Sequence, residues 1–298
     1  MSVLAVFGPT ASGKSAVAEA IAERIPAELV SADAMQVYRG LPVLTNQSWA
    51  RLVGIWPLEH EASLGEYQRL AHEAVDEILT AGRTPVVVGG TGLYLRAALA
   101  ELELPPAPAP GARRRWERLY DERGPEAAHA ELARRDPAAA GVLHPNDRRR
   151  VVRALELTEA GASLRPREDR LWAEGTRHPT LVAGLDIRKD VLERRIRART
   201  AAMFEEGVEE EVAAALRQPL SATAAKVMGL REVAELPREQ ALEALVARTR
   251  RYAAYQRKWM RRIPGIIMLQ ADRPPAEVAD AILEVARARQ LLPAPRAG

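Results

Sequence analysis

Apolar residues fall along this chain in two rhythms. Short unbroken runs at Val3 to Phe7, Leu29 to Ala32, Pro85 to Val88 and Thr180 to Ile187 read as strands buried on both faces. Between them come stripes at helical spacing. In Gly65 to Ala81, the residues Tyr67, Leu70, Ala71, Ala74, Val75 and Ile78 share one side of a helix. An alanine-rich pattern up to about Ile25 and the segment Gly92 to Leu99 predict two more helices, and Leu52 to Trp56 a further strand. Strand and helix in alternation indicate a parallel sheet covered by helices.

The alternation stops at Leu104 to Gly111, LPPAPAPG, which is a stiff connector. From Gly111 to about Ala173 the patterning is helical only. After the strand at Thr180 come predicted helices at Lys189 to Arg217, Ala222 to Leu236 and Arg238 to Arg262, a strand at Ile266 to Leu269 and a helix at Pro275 to Leu292. The simplest architecture is an α/β core of residues 1–110 and 175–298 interrupted by an all-helical insert, 111–174. No internal repeat is found.

Composition narrows the chemistry. The chain has 298 residues and no cysteine, which removes disulfides, thiolate zinc sites and cysteine nucleophiles together. No apolar run approaches the length that spans a bilayer. The opening Met1 to Phe7 leads into a glycine loop rather than a cleavage site, so a cytoplasmic protein is expected. The net charge of +3 is unevenly spread. Residues 1–100 carry seven Lys/Arg against ten Asp/Glu. Residues 111–153 carry eleven arginines against seven acids, and residues 248–262 carry seven basic residues and no acid. Arginine interleaved with Tyr252, Tyr255 and Trp259 suits RNA, whose phosphates take the charge and whose bases take the rings. Charged helix faces are more often solvated, and Tyr252 and Trp259 at helical spacing read as core.

The sharpest signal is Gly8-Pro9-Thr10-Ala11-Ser12-Gly13-Lys14-Ser15, between a strand and a helix. It satisfies the phosphate-loop pattern, in which backbone N–H groups and a helix N-terminus face an anion. Lys14 adds a full charge, and the Ser15 hydroxyl is placed to ligate Mg²⁺. The loop calls for a di- or triphosphate without saying which molecule carries it. No carboxylate directly follows the strand Pro85 to Val88, which ends in Gly-Gly-Thr-Gly; that weakens an ATPase reading but leaves a small-molecule kinase open. Asp33 ends the second strand, where ligands of doubly wound folds sit. From position alone it is either a base for a departing proton, a helix cap or an outer ligand of Mg²⁺.

Taken in order, the motifs resemble the tRNA dimethylallyltransferase family. They are GPTASGKS at 8–15, SADAMQVYRG at 31–40, VVVGGTGLYLRA at 86–97 and HPNDRRRVVRALEL at 144–157, with weaker echoes at 195–207, 228–232 and 249–259. The resemblance runs from Leu4 to about Trp259. It implies a P-loop NTPase-like core, dimethylallyl pyrophosphate as donor, Mg²⁺, and as acceptor the adenosine 3′-adjacent to the anticodon of tRNA, bound by a monomer. Asp33 would take the proton of the adenine N6 amine. Thr10 and Thr91 would position donor and base, and Arg199 is the candidate arginine for the leaving pyrophosphate. Contacts to tRNA would come from Asp33, Ala34, Met35, Gln36 and Thr91, and on the insert from Arg115, Asp147, Arg148, Arg149 and Arg150, with the insert acting as a clamp. The chain departs from the family pattern at Ala34, at Leu41 to Gln47, around Trp56-Pro57-Leu58 and at Met228-Gly229-Leu230. The alternatives are a kinase in which Asp33 deprotonates a hydroxyl, and a nucleotide-gated RNA-binding protein without chemistry.

Overall fold

The computed structural model describes residues 2–104, 106, 109, 111–164 and 175–292. These form two compact units, residues 2–101 with 175–292, and residues 102–164. Residues 165–174, into which the expected helical insert extends, lie outside the described residues.

The larger unit is built on a five-stranded sheet of β1 (Val3–Phe7), β2 (Ala27–Ser31), β3 (Thr84–Gly89), β4 (Thr180–Asp186) and β5 (Ile267–Gln270). The spatial order is β2-β3-β1-β4-β5, with every pair parallel. From β1 the chain runs to the edge strand β2, comes back to β3 beside β1, then crosses to β4 and β5 on the other side. β1 is therefore the switch point, where a crevice opens at the carboxyl ends of the strands. Helices α1 (Lys14–Ala22) and α12 (Pro275–Ala288) pack together on the sheet. Their Val17, Ile21, Val278 and Ile282 meet Leu4, Val6, Leu29, Val86 and Leu185 in one core. Helix α3 (Leu64–Thr80) packs on β2, β3 and α4 (Gly92–Leu99). Its N-cap is Ser63, whose hydroxyl accepts the Glu66 N–H at 3.2 Å. Tyr67 is fully buried from α3, and its hydroxyl donates to the Ser31 carbonyl at 2.8 Å.

Several sequence expectations shift. Leu52 to Trp56 is no strand: Leu52 and Gly54 have φ of 67° and 60°, and the neighbourhood makes isolated bridges alone. A left-handed residue cannot continue an extended ladder, so an apolar run imitates a strand here. A short helix α2 (Pro42–Thr45) precedes it. The expected helix Lys189 to Arg217 is broken at Gly207, with φ of 86°, into α8 (Lys189–Glu205) and α9 (Val208–Leu216). Ala222 to Leu236 is a 3₁₀ turn, Ala224–Lys226, followed by α10 (Leu230–Glu235) behind Gly229, with φ of 101°. Only α11 (Arg238–Met260) forms as one long helix.

The smaller unit contains α5 (Ala112–Arg135), α6 (Pro137–Ala140) and α7 (Arg148–Glu159). The backbone of α5 breaks at Gly124-Pro125, where proline has no N–H to donate. Trp116, Tyr120, Leu132, Val151, Val152 and Leu155 make its core.

One contact decides how close β2 and β3 can end. A Cβ on Gly89 would collide with the Ala32 carbonyl. Gly89→Ala should therefore destabilise the protein by about 3 kcal/mol or more, because the obstacle is backbone rather than a movable side chain. Urea denaturation checks this; a midpoint matching wild type would mean the strand ends relax freely.

Candidate active site

The phosphate loop, residues 8–15, leaves β1 and turns into α1. Gly13 caps α1 with φ of 93°, a conformation that costs glycine nothing. Lys14 folds back over the loop, and its Nζ donates to the Pro9 carbonyl at 2.9 Å. Burial pulls the Lys14 ammonium down to about 8, with the Asp33 charge opposing the shift and the Arg199 charge adding to it.

Two arginines one turn apart on α8 reach this loop. Arg195 Nη1 donates to the Ser12 carbonyl at 3.3 Å, and Arg199 Nη1 donates to Thr10 Oγ1 at 2.9 Å. Burial lowers the Arg199 guanidinium from its ordinary value, with the Asp33 charge opposing, yet a guanidinium stays charged. Arg199 Nε and Ser12 Oγ are buried with no hydrogen-bond partner among the described residues. Buried donors without partners are rare, and here they sit beside a cationic loop. The arrangement is set for an anion with several oxygens.

A cleft of about 460 Å³ opens in front of the loop. Its lining draws Thr10, Lys14, Ser15, Arg195 and Arg199 from the loop, α1 and α8, and Asp33, Met35, Gln36, Gly89 and Tyr252 from the ends of β2 and β3 and from α11. Asp33 Oδ1 accepts the Met35 N–H at 2.9 Å, which holds the carboxylate at the end of β2. Thr91 stands behind it, and its Oγ1 accepts the Ala34 N–H at 3.2 Å. Gln36 ties the segment Leu41 to Gln47 to this lining, donating from Nε2 to the Thr45 and Asn46 carbonyls at 3.2 and 2.7 Å. Glu211 of α9 holds the same segment from its other end, accepting the Val43 and Leu44 N–H groups at 2.8 Å each. Beside Thr10 and Arg199 lies a small recess whose apolar lining includes Leu44, Ile196, Met203, Met228 and Leu245.

Thus the cleft collects Thr10, Lys14, Ser15, Asp33 and Arg199. Tyr252, read from sequence as core, lines it instead: its hydroxyl lies 3.4 Å from Thr91 Oγ1, and burial pushes the phenol up. Trp259 is half-buried and packs against Gly92. Arg195 and Gln256 were not singled out in the sequence. Both fall within the weaker family echoes at 195–207 and 249–259, and their i, i+4 spacing to Arg199 and Tyr252 becomes readable once those two are placed.

On the smaller unit the expected RNA-contacting residues are partly committed to internal contacts. Arg115 pairs with Glu159 at 2.7 Å. Arg148 grips Asp121 through two bonds of 2.8 and 2.7 Å and lies over the Tyr120 ring. Asp147 caps α7 by accepting the Arg150 N–H at 3.3 Å. Arg149 and Arg150 are exposed.

A phosphate loop at the switch point of a parallel sheet, faced by a carboxylate from the next strand, defines a P-loop NTPase-like α/β protein with an anion site. Comparison with known proteins narrows this class. Residues 36–263 match the family described as IPP transferase, and residues 1–50 match that described as isopentenyl transferase. The tRNA dimethylallyltransferase of Acidothermus cellulolyticus is 40% identical over 97% of this chain and 93% of its own length. That of Thermobifida fusca is 38% identical over 92% and 91%. The solved full-length tRNA isopentenylpyrophosphate transferase of Bacillus halodurans superposes with a TM-score of 0.67 at 28% identity, covering 98% of this chain and 99% of that one. The chain belongs to the IPP transferase family, and the kinase alternative falls away. No helix among the described residues is long and apolar enough to cross a membrane.

The lowered Lys14 value has a testable sign. The ammonium is charged below about 8 in the empty site and loses its proton above it. Pyrophosphate affinity, expressed relative to Lys14→Ala to cancel the titration of the ligand, should fall as pH rises through that value. Calorimetry across the window checks it. A constant ratio would show that the Lys14 charge does not contribute.

Proposed function

We propose that this chain transfers the dimethylallyl group of dimethylallyl pyrophosphate to N6 of the adenosine 3′-adjacent to the anticodon in tRNA. The observation that supports this reading is that one cleft gathers the cations Lys14, Arg195 and Arg199 together with the Asp33 carboxylate. The pyrophosphate lies in the loop against Lys14, Arg195 and Arg199. The N6 nitrogen attacks the allylic carbon, the bond from that carbon to the pyrophosphate oxygen breaks, and Asp33 takes the N6 proton. Lys14 and the two guanidinium groups hold the charge that develops on the leaving pyrophosphate.

The donor set fits Mg²⁺. No cluster of three or more His, Cys, Asp or Glu side chains able to hold a metal occurs among the described residues, but the Ser15 hydroxyl opens the first turn of α1 into the cleft. Mg²⁺ keeps several waters and uses one or two protein oxygens together with phosphate oxygens, so one hydroxyl suffices. Bound there, it would neutralise charge on the departing pyrophosphate.

An adenine stacked in an anticodon loop cannot present N6 to a half-buried carboxylate, so the base must leave its stack. The aromatic ring of Tyr252, the thioether of Met35 and the amide of Gln36, which line the cleft with Asp33, suit a flipped base. RNA phosphates are met by exposed arginines, of which Arg149 and Arg150 are the candidates on the smaller unit.

The direct experiment is incubation with labelled dimethylallyl pyrophosphate and unmodified tRNA. Asp33→Asn should slow transfer by about 100-fold or more, the scale for loss of a general base, with tRNA affinity little changed. Near-normal turnover would remove Asp33 from the reaction.

Arg149→Ala with Arg150→Ala should weaken tRNA binding and flatten its salt dependence. The log–log slope should fall by about 0.7 to 0.9 for each phosphate that is no longer neutralised. Affinity and slope equal to wild type would mark this pair as a solvated face.

A further inference from the structure

Helix α11 sends Tyr252, Gln256 and Trp259 toward the loops that follow β1 and β3. Gln256 is 2% exposed, although it is polar and belongs to a helix otherwise rich in exposed charge. Its Oε1 accepts the Thr10 N–H at 2.7 Å, and its Nε2 donates to the Gly90 carbonyl at 2.9 Å. The two partners fix the amide orientation, since an N–H needs the oxygen and a carbonyl needs the nitrogen. A Cβ on Gly90 would collide with this amide, so glycine there is a condition of the contact.

Gln256 therefore joins the phosphate loop to the Gly-Gly-Thr-Gly loop. The next residue, Thr91, accepts the N–H of Ala34, the immediate neighbour of Asp33. A connected path runs from Thr10 at the end of β1, through Gln256 and Gly90 at the end of β3, to Asp33 at the end of β2. We propose that Gln256 is a positioning residue that sets the spacing between the donor-holding loop and the proton acceptor. This rests on the prenyl-transfer reading above. Direct displacement is sensitive to the distance and line of the reacting atoms, and a misplacement of about 1 Å can cost about 100-fold in rate. Leucine has neither amide function, so Gln256→Leu leaves the Thr10 N–H and the Gly90 carbonyl unsatisfied while keeping Lys14 and Asp33.

Two variants test this. Gln256→Leu should weaken inorganic pyrophosphate binding by about tenfold, because two buried hydrogen bonds are no longer made. It should lower kcat by about 100-fold while KM for tRNA stays near wild type. Gln256→Glu supplies a titratable copy of the amide: its protonated carboxyl can accept from Thr10 and donate to Gly90, whereas its carboxylate can only accept. Burial raises a carboxyl pKa, so the protonated form is within reach of a mildly acidic assay. The ratio of Gln256→Glu to wild-type pyrophosphate affinity should approach one near about pH 5.5 and fall about tenfold by about pH 8. The titration of pyrophosphate itself cancels in that ratio.

A flat ratio across pH overturns the proposal. So does a Gln256→Leu protein that binds pyrophosphate and turns over within about twofold of wild type. If Gln256→Leu does not fold, Gln256→Met, an uncharged side chain of similar length, takes its place with the same readouts, and the Gln256→Glu profile is read against it because a carboxylate beside the loop also repels an anion. Pyrophosphate binding is read without turnover. A wild-type chain that binds pyrophosphate but transfers no prenyl group would count against the proposed reaction, and the binding ratios would still judge Gln256.

Discussion

Everything in the cleft depends on the parallel pairing of β1 with β3 on one side and β4 on the other. Parallel strands end at the same edge. The loops after β1, β2 and β3 therefore emerge side by side, although they are dozens of residues apart in the chain. The first carries Lys14 and Ser15, the second Asp33, the third Gly89 to Thr91. The absence of a side chain at Gly89 lets the second and third come together. The sheet thus brings a phosphate site and a carboxylate into one cleft without either motif containing the other.

The electrostatics divide the same way. Lys14, Arg195 and Arg199 gather on the side of the loop, and burial strips water from Lys14 and Arg199 at a cost visible in their lowered pKa values. A multiply charged oxyanion offsets that cost. Asp33 in the same cleft is the counter-charge both groups feel. A carboxylate in that place makes a poor neighbour for phosphate oxygens and a good acceptor for a proton from a nucleophile.

The smaller unit shows how charge counts mislead. Residues 148–150 are a run of three arginines, yet one of them is a structural element. Arg148 crosslinks α7 to α5 through Asp121 and covers Tyr120. Arg149 and Arg150 point outward from the same turn. Helical rotation of about 100° per residue, invisible in the string RRR, distributes these roles.

What the sequence determined is what local pattern can encode. The apolar runs marked β1, β3 and β4, the glycines and Lys14 marked the phosphate loop, and four ordered motifs marked the family. These signals are contiguous, and each is read from residues that are neighbours in the chain. Breaks set by backbone conformation were less legible: Gly207 and Gly229 divide helices whose apolar stripes run on, and left-handed Leu52 undoes an apparent strand. The tertiary structure alone decided which distant side chains share the cleft. Tyr252 reads as core and Gln256 as one polar residue among many on a basic helix. Only the packing of α11 behind the strand ends puts Tyr252 against Thr91 and Gln256 between Thr10 and Gly90. Helical periodicity says which residues share a face, but what that face meets is set by the packing of the whole sheet and its helices.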